Sequence, residues 1–166
     1  MTLVLILTRH AKSDWDDPAL SDHDRPLNDR GQEDAPKVGA WLKAKGHVPE
    51  QALVSSARRA QETWDRLSPE LGEGVPMTTV PALYHAEPEM ILRQLKTARG
   101  RVAMVIGHNP GIGEFAHRVV DDPAAHPRFI DYPTCATLVA EFPGDDWSAI
   151  DWWSGRVLDF VVPRDL

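Results

Sequence analysis

The stretch Leu3 to Ser13, read Leu-Val-Leu-Ile-Leu-Thr-Arg-His-Ala-Lys-Ser, constrains this chain more than any other. Five apolar residues run without a break into Thr8-Arg9-His10. A short continuous apolar run that stops at a polar cluster reads as a buried strand of a parallel sheet. In open α/β sheets, ligands bind beyond the carboxyl ends of such strands. Arg9 and His10 are expected there. A guanidinium forks onto two oxygens of a phosphate, and an imidazole attacks phosphorus or moves a proton. The same two residues would equally serve as a polar end to a strand, so the remaining chain has to decide.

Two further strand-to-helix junctions carry the same residue types. Ala52 to Ser55 reads as a second strand, followed by helical spacing at Ala60, Thr63, Trp64 and Leu67, with Arg58 and Arg59 at the junction. A helix N-terminus is the unfavourable end for cations and a favourable one for an anion, so a ligand accounts for these arginines better than solvent does. Arg101 to Ile106 reads as a third strand. It ends in Gly107-His108-Asn109-Pro110-Gly111, and a helix through Ile112, Phe115, Ala116 and Val119 follows.

Between these junctions the pattern is regular. Asn28 is placed to cap a helix whose apolar stripe is Val38, Trp41 and Leu42 and which ends at Gly46; Pro36 is expected to delay or bend it. Pro69 is expected to stop the second helix. Met77 to Val80 reads as a short strand. Glu87 to Leu95 reads as a helix with Met90, Ile91 and Leu95 inward. Thr134 to Phe142 reads as a strand, and Ile150 to Trp153 with Arg156 to Val162 as a closing strand pair. Trp147, Trp152 and Trp153 are expected to pack.

Composition narrows the class. A length of 166 residues fits one domain, residues 1–166, with 14 prolines and 11 glycines spread between elements rather than gathered in a linker. A formal charge of −7 argues against nucleic acid as a partner, so anion binding must come from a local patch. Cys135 is the lone cysteine, which excludes an intramolecular disulfide and fits a packing role in a reducing compartment. No run approaches a membrane span or a signal sequence, so a cytoplasmic protein with no membrane partner is expected. The acidic loop Asp14 to Pro26, with Asp14, Asp16, Asp17, Asp22 and Asp24, reads as a solvated face without calcium-loop spacing. His23, His47, His117 and His126 lack metal-ligand spacing and read as surface or loop residues.

Arg9-His10, then Ser55-x-x-x-Arg59-Ala60-x-x-Thr63, then Gly107-His108-Asn109-Pro110 resemble, in order, the three signature blocks of the histidine phosphatase (phosphoglycerate mutase-like) superfamily. The short chain and the block Arg25-Pro26-Leu27-Asn28-x-x-Gly31 most resemble SixA-type phosphohistidine phosphatases. The resemblance runs from Leu3 to about Val120. It implies a three-layer α/β/α sandwich with a mostly parallel central sheet and no cap domain. It implies that His10 is the nucleophile that becomes phosphorylated, that Arg9 and Arg59 bind the phosphoryl oxygens, and that His108 completes the pocket. Arg25 is a further phosphate contact, and Lys12 and Ser13 are candidates to add a charge and a hydroxyl. No metal or cofactor is implied. The implied partner is a phosphorylated protein, such as a histidine-phosphotransfer domain, or a small phosphorylated substrate.

Two departures matter. Ala11 stands where glycine commonly follows the histidine. No glutamate is assignable as the proton donor that phosphomonoesterases and mutases of the family place after the second arginine block; His85 and Glu87 are the candidates. A missing donor favours a phosphoramidate, whose P–N bond is labile, over an alkyl ester. A small-molecule phosphomonoesterase and a non-catalytic phosphate-binding module are the alternatives. A dinucleotide site at Gly111-x-Gly113-x-x-Ala116, with Asp131 about 20 residues on, is disfavoured, because His108-Asn109-Pro110 separates the glycines from the strand.

Overall fold

A computed structural model describes all residues, 1–166. The strands β1 (Thr2–Arg9), β2 (Gln51–Ser55), β3 (Met77–Val80), β4 (Val102–Gly107), β5 (Thr137–Pro143) and β6 (Arg156–Val161) form one sheet in the order β3-β2-β4-β1-β5-β6. The pairs β1/β4, β2/β4 and β2/β3 are parallel, while β5 runs antiparallel to both β1 and β6. The helices are α1 (Asp29–Ala44), α2 (Arg58–Leu71), α3 (Pro88–Leu95) and α4 (Gly111–Val119).

The unbroken apolar run of β1 is explained by two-sided burial. Leu3, Leu5 and Leu7 point into a cluster with Ile91, Leu95, Ile112 and Phe115 of α3 and α4. Ile6 points the other way, into a cluster with Val38 and Leu42 of α1 and Ala60, Trp64 and Leu67 of α2. The period-2 alternation of side chains along a strand thus feeds two cores from one segment. Helices cover both faces, which gives the three layers expected from the sequence, and no inserted cap stands over the sheet. No helix is long and apolar enough to cross a membrane.

Several local expectations are corrected. Asn28 does cap α1, its side chain accepting from the Gly31 N–H at 2.9 Å, but Pro36 lies inside the helix and does not delay its start at Asp29. Pro69 lies inside α2; the helix runs to Leu71 and stops at Gly72, whose φ of 105° favours glycine. Leu92, not Met90, faces inward from α3 with Ile91 and Leu95. Residues 134–136 lie outside β5. Ile150 to Trp153 is not a strand: β6 pairs with β5 instead, and Trp153 is 62% exposed rather than packed. The two glycines of the disfavoured dinucleotide pattern are packing glycines. A Cβ on Gly111 would sit 1.8 Å from the Ala86 carbonyl oxygen, and one on Gly113 would sit 2.9 Å from Asn109 Oδ1.

Candidate active site

Three neighbouring parallel strands, β2, β4 and β1, deliver Ser55, His108 and His10 to the same sheet edge. Arg9 is in register with Gly107, so the residues that follow each strand, His10 and His108, emerge side by side. Their ring centroids are 5.2 Å apart. Arg9, His10, Lys12, Ser13, Arg25, Arg59 and His108 all line one cleft of about 240 Å³. Of the two proton-donor candidates, His85 lines it and Glu87 does not.

The loop after β1 is fixed from several sides. The His10 N–H donates to the Gly107 carbonyl at 3.0 Å, and the Cys135 N–H donates to the Arg9 and His10 carbonyls. The Ala11 N–H donates to Thr63 Oγ1 at 2.9 Å, and that hydroxyl donates to the Arg59 carbonyl at 2.7 Å. Thr63 therefore ties the loop of the first signature block to the helix of the second, which accounts for the threonine four residues after Arg59. The Asn28 N–H donates to the Lys12 carbonyl at 3.0 Å. A Cβ on Gly31 would stand 2.1 Å from that same oxygen, so the start of α1 reaches the loop only with glycine there.

His10 has one assignable tautomer. Its Nδ1 lies 2.7 Å from the Ala11 carbonyl oxygen, which only accepts, so Nδ1 carries the proton and Nε2 keeps its lone pair. Burial pushes the imidazole pKa down to about 3. The bond to Ala11 opposes this, and the charges of Arg9, Arg59 and Arg25 add to it. His108 is also held well below the usual imidazole range, by burial first, then by its nearness to the ionisable His10 and the charged Arg59. Its Nε2 lies 2.7 Å from Ser55 Oγ.

The arginines are held by carbonyls and one carboxylate. Arg9 Nη1 donates to the Tyr132 carbonyl at 3.3 Å. Arg59 Nη1 donates to the Asp22 carbonyl at 2.7 Å and Nη2 to Asp22 Oδ2 at 3.1 Å. Arg25 Nη1 donates to Ser13 Oγ at 2.7 Å, its Nε donates to Asp22 Oδ1 at 3.2 Å, and its guanidinium carbon lies 3.3 Å from the Trp15 ring centroid. Ser13 is thus engaged with Arg25. The Nε atoms of Arg9 and Arg59 are buried without a hydrogen-bond partner. Buried unpaired donors are costly, and here they belong to two cations on one cleft.

Asp22, Tyr84 and Trp15 were missed in the sequence. In sequence Asp22 belongs to a solvated acidic face, yet it accepts from Arg59, Arg25 and the Tyr84 hydroxyl, the last at 2.5 Å. Burial alone raises its carboxyl pKa, but the Tyr84 bond and the charge and bonds of the arginines outweigh it and hold the group well below the carboxylate range. The one signal was its place three residues before Arg25. His85 lies on the same node, its Nε2 3.3 Å from Asp22 Oδ2, stacked on Tyr84 with centroids 4.0 Å apart. Its backbone is left-handed, φ 51°, a conformation that persists where surrounding structure enforces it.

Among the other histidines, His47 and His126 pair with Asp159 and Asp165, and His23 meets Ser56. No group of three or more His, Cys, Asp or Glu side chains is arranged to hold a metal ion. Cys135 is fully buried, and burial raises its thiol pKa.

Comparison with known proteins gives the family and the fold. An uncharacterized protein of Mycobacterium tuberculosis H37Rv is 30% identical over 163 residues, covering 94% of this chain and 99% of that protein. A 2,3-bisphosphoglycerate-dependent phosphoglycerate mutase of Methylorubrum extorquens is 36% identical over 76 residues, 45% of this chain and 36% of that enzyme. The solved structure of the protein histidine phosphatase SixA complexed with tungstate superposes with a TM-score of 0.77 at 22% identity, covering 98% of this chain and 99% of that one. A candidate phosphohistidine phosphatase SixA from Agrobacterium tumefaciens gives 0.78 at 23% identity, covering 97% and 98%. These two show a shared fold. The family model "Histidine phosphatase superfamily (branch 1)" matches residues 5–87, and the chain belongs to that superfamily.

Proposed function

We propose that the chain is a metal-independent phosphatase that passes a phosphoryl group to His10 and then to water, with phosphohistidine on a protein as its substrate. The observation that carries this reading is the His10 tautomer. A neutral imidazole with its proton fixed on Nδ1 by the Ala11 carbonyl presents Nε2 as a nucleophile in a cleft bordered by guanidinium groups.

In the first half-reaction the Nε2 lone pair forms a bond to phosphorus while the bond from phosphorus to the substrate imidazole nitrogen breaks. Negative charge on the equatorial oxygens is taken by the guanidinium groups of Arg9 and Arg59, which line the cleft. Arg25 and Lys12 add charge at the rim, Ser13 holds Arg25, and His108, joined to Ser55, completes the wall facing His10. The departing nitrogen takes a proton. His85 lines the cleft, its Nε2 3.3 Å from Asp22 Oδ2, and is the group placed to supply it; Glu87 opens onto a neighbouring groove. In the second half-reaction water attacks phosphorus and returns a proton to His85, the bond to Nε2 breaks with its electron pair going back to that nitrogen, and inorganic phosphate leaves.

Several features support phosphohistidine over an alkyl phosphate. No carboxylic acid is positioned as a donor, and the one carboxylate on the cleft, Asp22, is held ionised by Tyr84 and two arginines. An imidazole leaving group needs less protonation than an alkoxide. The test compares turnover of a phosphohistidine-bearing protein with a panel of phosphomonoesters, alongside rapid-quench trapping of an acid-labile phosphoenzyme. Preference for the phosphohistidine protein with phosphoenzyme on His10 is expected. Full activity in His10→Ala rules out the mechanism, and preference for a monoester rules out the substrate.

A further inference from the structure

Two grooves that share lining residues with the phosphoryl cleft carry opposite charge. One, of about 270 Å³, shares Lys12 and Thr134 with the cleft and is otherwise bordered by Arg30, Arg128 and Arg164 with a single carboxylate, Asp34. Asp34 is 3.5 Å from Arg30, and Arg128 is held by Asp131 at 3.0 Å. Lys12 and Arg164 have no carboxylate partner, so the groove carries uncompensated positive charge on a chain whose formal charge is −7. The other groove, of about 630 Å³, shares His85 and Asn109 with the cleft and is bordered by Glu87, Glu89 and Glu114. Its one cation besides the histidine, Arg118, is held by Glu89 at 2.8 Å and lies over the Trp152 ring at 4.2 Å. Glu87 and Glu114 remain unpaired. Both stand at helix N-termini, Glu87 just before α3 and Glu114 in the first turn of α4, where negative charge is stabilised.

Two grooves of opposite sign that meet at one reactive cleft set an orientation for whatever carries the phosphoryl group. The chain's overall field repels an acidic molecule, so attraction must be local and directional. A small phosphate ester fills the cleft alone, whereas an extended segment continues into both grooves. We propose that the grooves form a charge-polarised cradle for a phosphorylated protein segment. An acidic side chain on one side of the phosphoryl group would enter the groove of Lys12 and Arg164, and a basic side chain on the other would enter the groove of Glu87 and Glu114. This rests on the reading of the chain as a phosphatase for protein-borne phosphohistidine.

The test uses the wild-type protein and labelled peptides carrying a non-hydrolysable phosphonate analogue of phosphohistidine. One peptide has glutamates before and lysines after the analogue, a second has the reverse order, and a third has neutral flanks. Fluorescence anisotropy reads Kd at low and high salt. One charge order is expected to bind about fivefold tighter than the other, the upper end for one exposed ion pair, and the ratio is expected to shrink in salt. Arg164→Glu and Glu114→Lys, each outside the reacting cleft, are expected to abolish the preference and leave turnover of phosphoimidazole unchanged. Replacing the matching charge on the peptide is expected to restore binding to each variant. Equal Kd for both orders, no peptide binding, or a preference untouched by both variants overturns the proposal. Hydrolysis of an authentic phosphohistidine peptide is measured separately; its absence with the charge preference intact overturns the reaction reading and leaves the cradle standing.

Discussion

The Nδ1 of His10 lies 2.7 Å from the carbonyl oxygen of Ala11, its own neighbour in the chain. A carbonyl has no proton to give, so this contact decides which ring nitrogen is protonated. With Nε2 unprotonated, replacement of His10 by alanine or asparagine is expected to abolish turnover and the trapped phosphoenzyme. Replacing Arg9 or Arg59 by alanine is expected to lower the rate on the order of 10²–10³-fold each, the scale of one lost oxyanion donor. Steady-state kinetics and rapid quench measure both.

The same imidazole makes stability depend on pH. Its folded pKa is pushed down to about 3, below the unfolded value of about 6.5. Between those values the unfolded chain binds more protons, so stability rises with pH there. The contribution is fully present above about pH 6.5 and is lost as pH falls toward 3. Melting temperature is expected to climb from pH 5 to pH 7.5, with His108 contributing in the same direction, and the climb is expected to become shallower in His10→Asn. An unchanged slope in the variant would exclude His10 as the source.

Thr63 has a structural duty that its position suggests and its contacts define. Thr63→Val keeps the shape but leaves the buried Ala11 N–H without its acceptor. A loss of about 1–3 kcal/mol is expected from denaturant titration. Turnover is expected to fall with it, because Ala11, the residue whose carbonyl holds the His10 tautomer, loses the anchor on its N–H.

Gly31 reverses the usual sign of a helix substitution. In an exposed helix interior, alanine for glycine stabilises by about 1 kcal/mol. Here the new Cβ would stand 2.1 Å from the Lys12 carbonyl oxygen, so Gly31→Ala is expected to destabilise by about 1–3 kcal/mol. The same variant is expected to lower turnover by displacing the loop that carries His10. Differential scanning and initial rates check the two effects together.

His85 separates two leaving groups. If it gives the proton, His85→Ala is expected to slow a phosphomonoester with a poor leaving group more than a phosphoramidate, because the alkoxide needs the proton more. Equal losses on both substrates would show that His85 only positions Asp22 and Tyr84.

The strand-end placement of Arg9, His10, Ser55 and His108 was legible in one dimension, because an unbroken apolar run is what a doubly covered strand needs and a polar cluster marks where it leaves the core. The Asn28 cap and the spacing from Ser55 to Thr63 were legible for a related reason: each reports a local turn or a helix face. Pro69 misled because a proline near the last turn of a helix sacrifices one backbone bond, while Leu67 and Leu71 of the same helix stay buried in the core. Ile150 to Trp153 misled because apolar content without a partner strand makes no ladder, and β5 already had β1 and β6.

Asp22 marks the boundary between the two kinds of information. By itself it is one aspartate in an acidic loop, indistinguishable from Asp16 or Asp24, and solvation is the cheapest expectation for it. Tertiary structure alone brings it within reach of Arg59, 37 residues away, and of Tyr84, 62 residues away. Residue chemistry and local periodicity determined the elements and put Arg9 and His10 at a strand end, since both depend on neighbours along the chain. Packing decided which charges meet, because electrostatic pairing depends on distance in space and not on order in sequence.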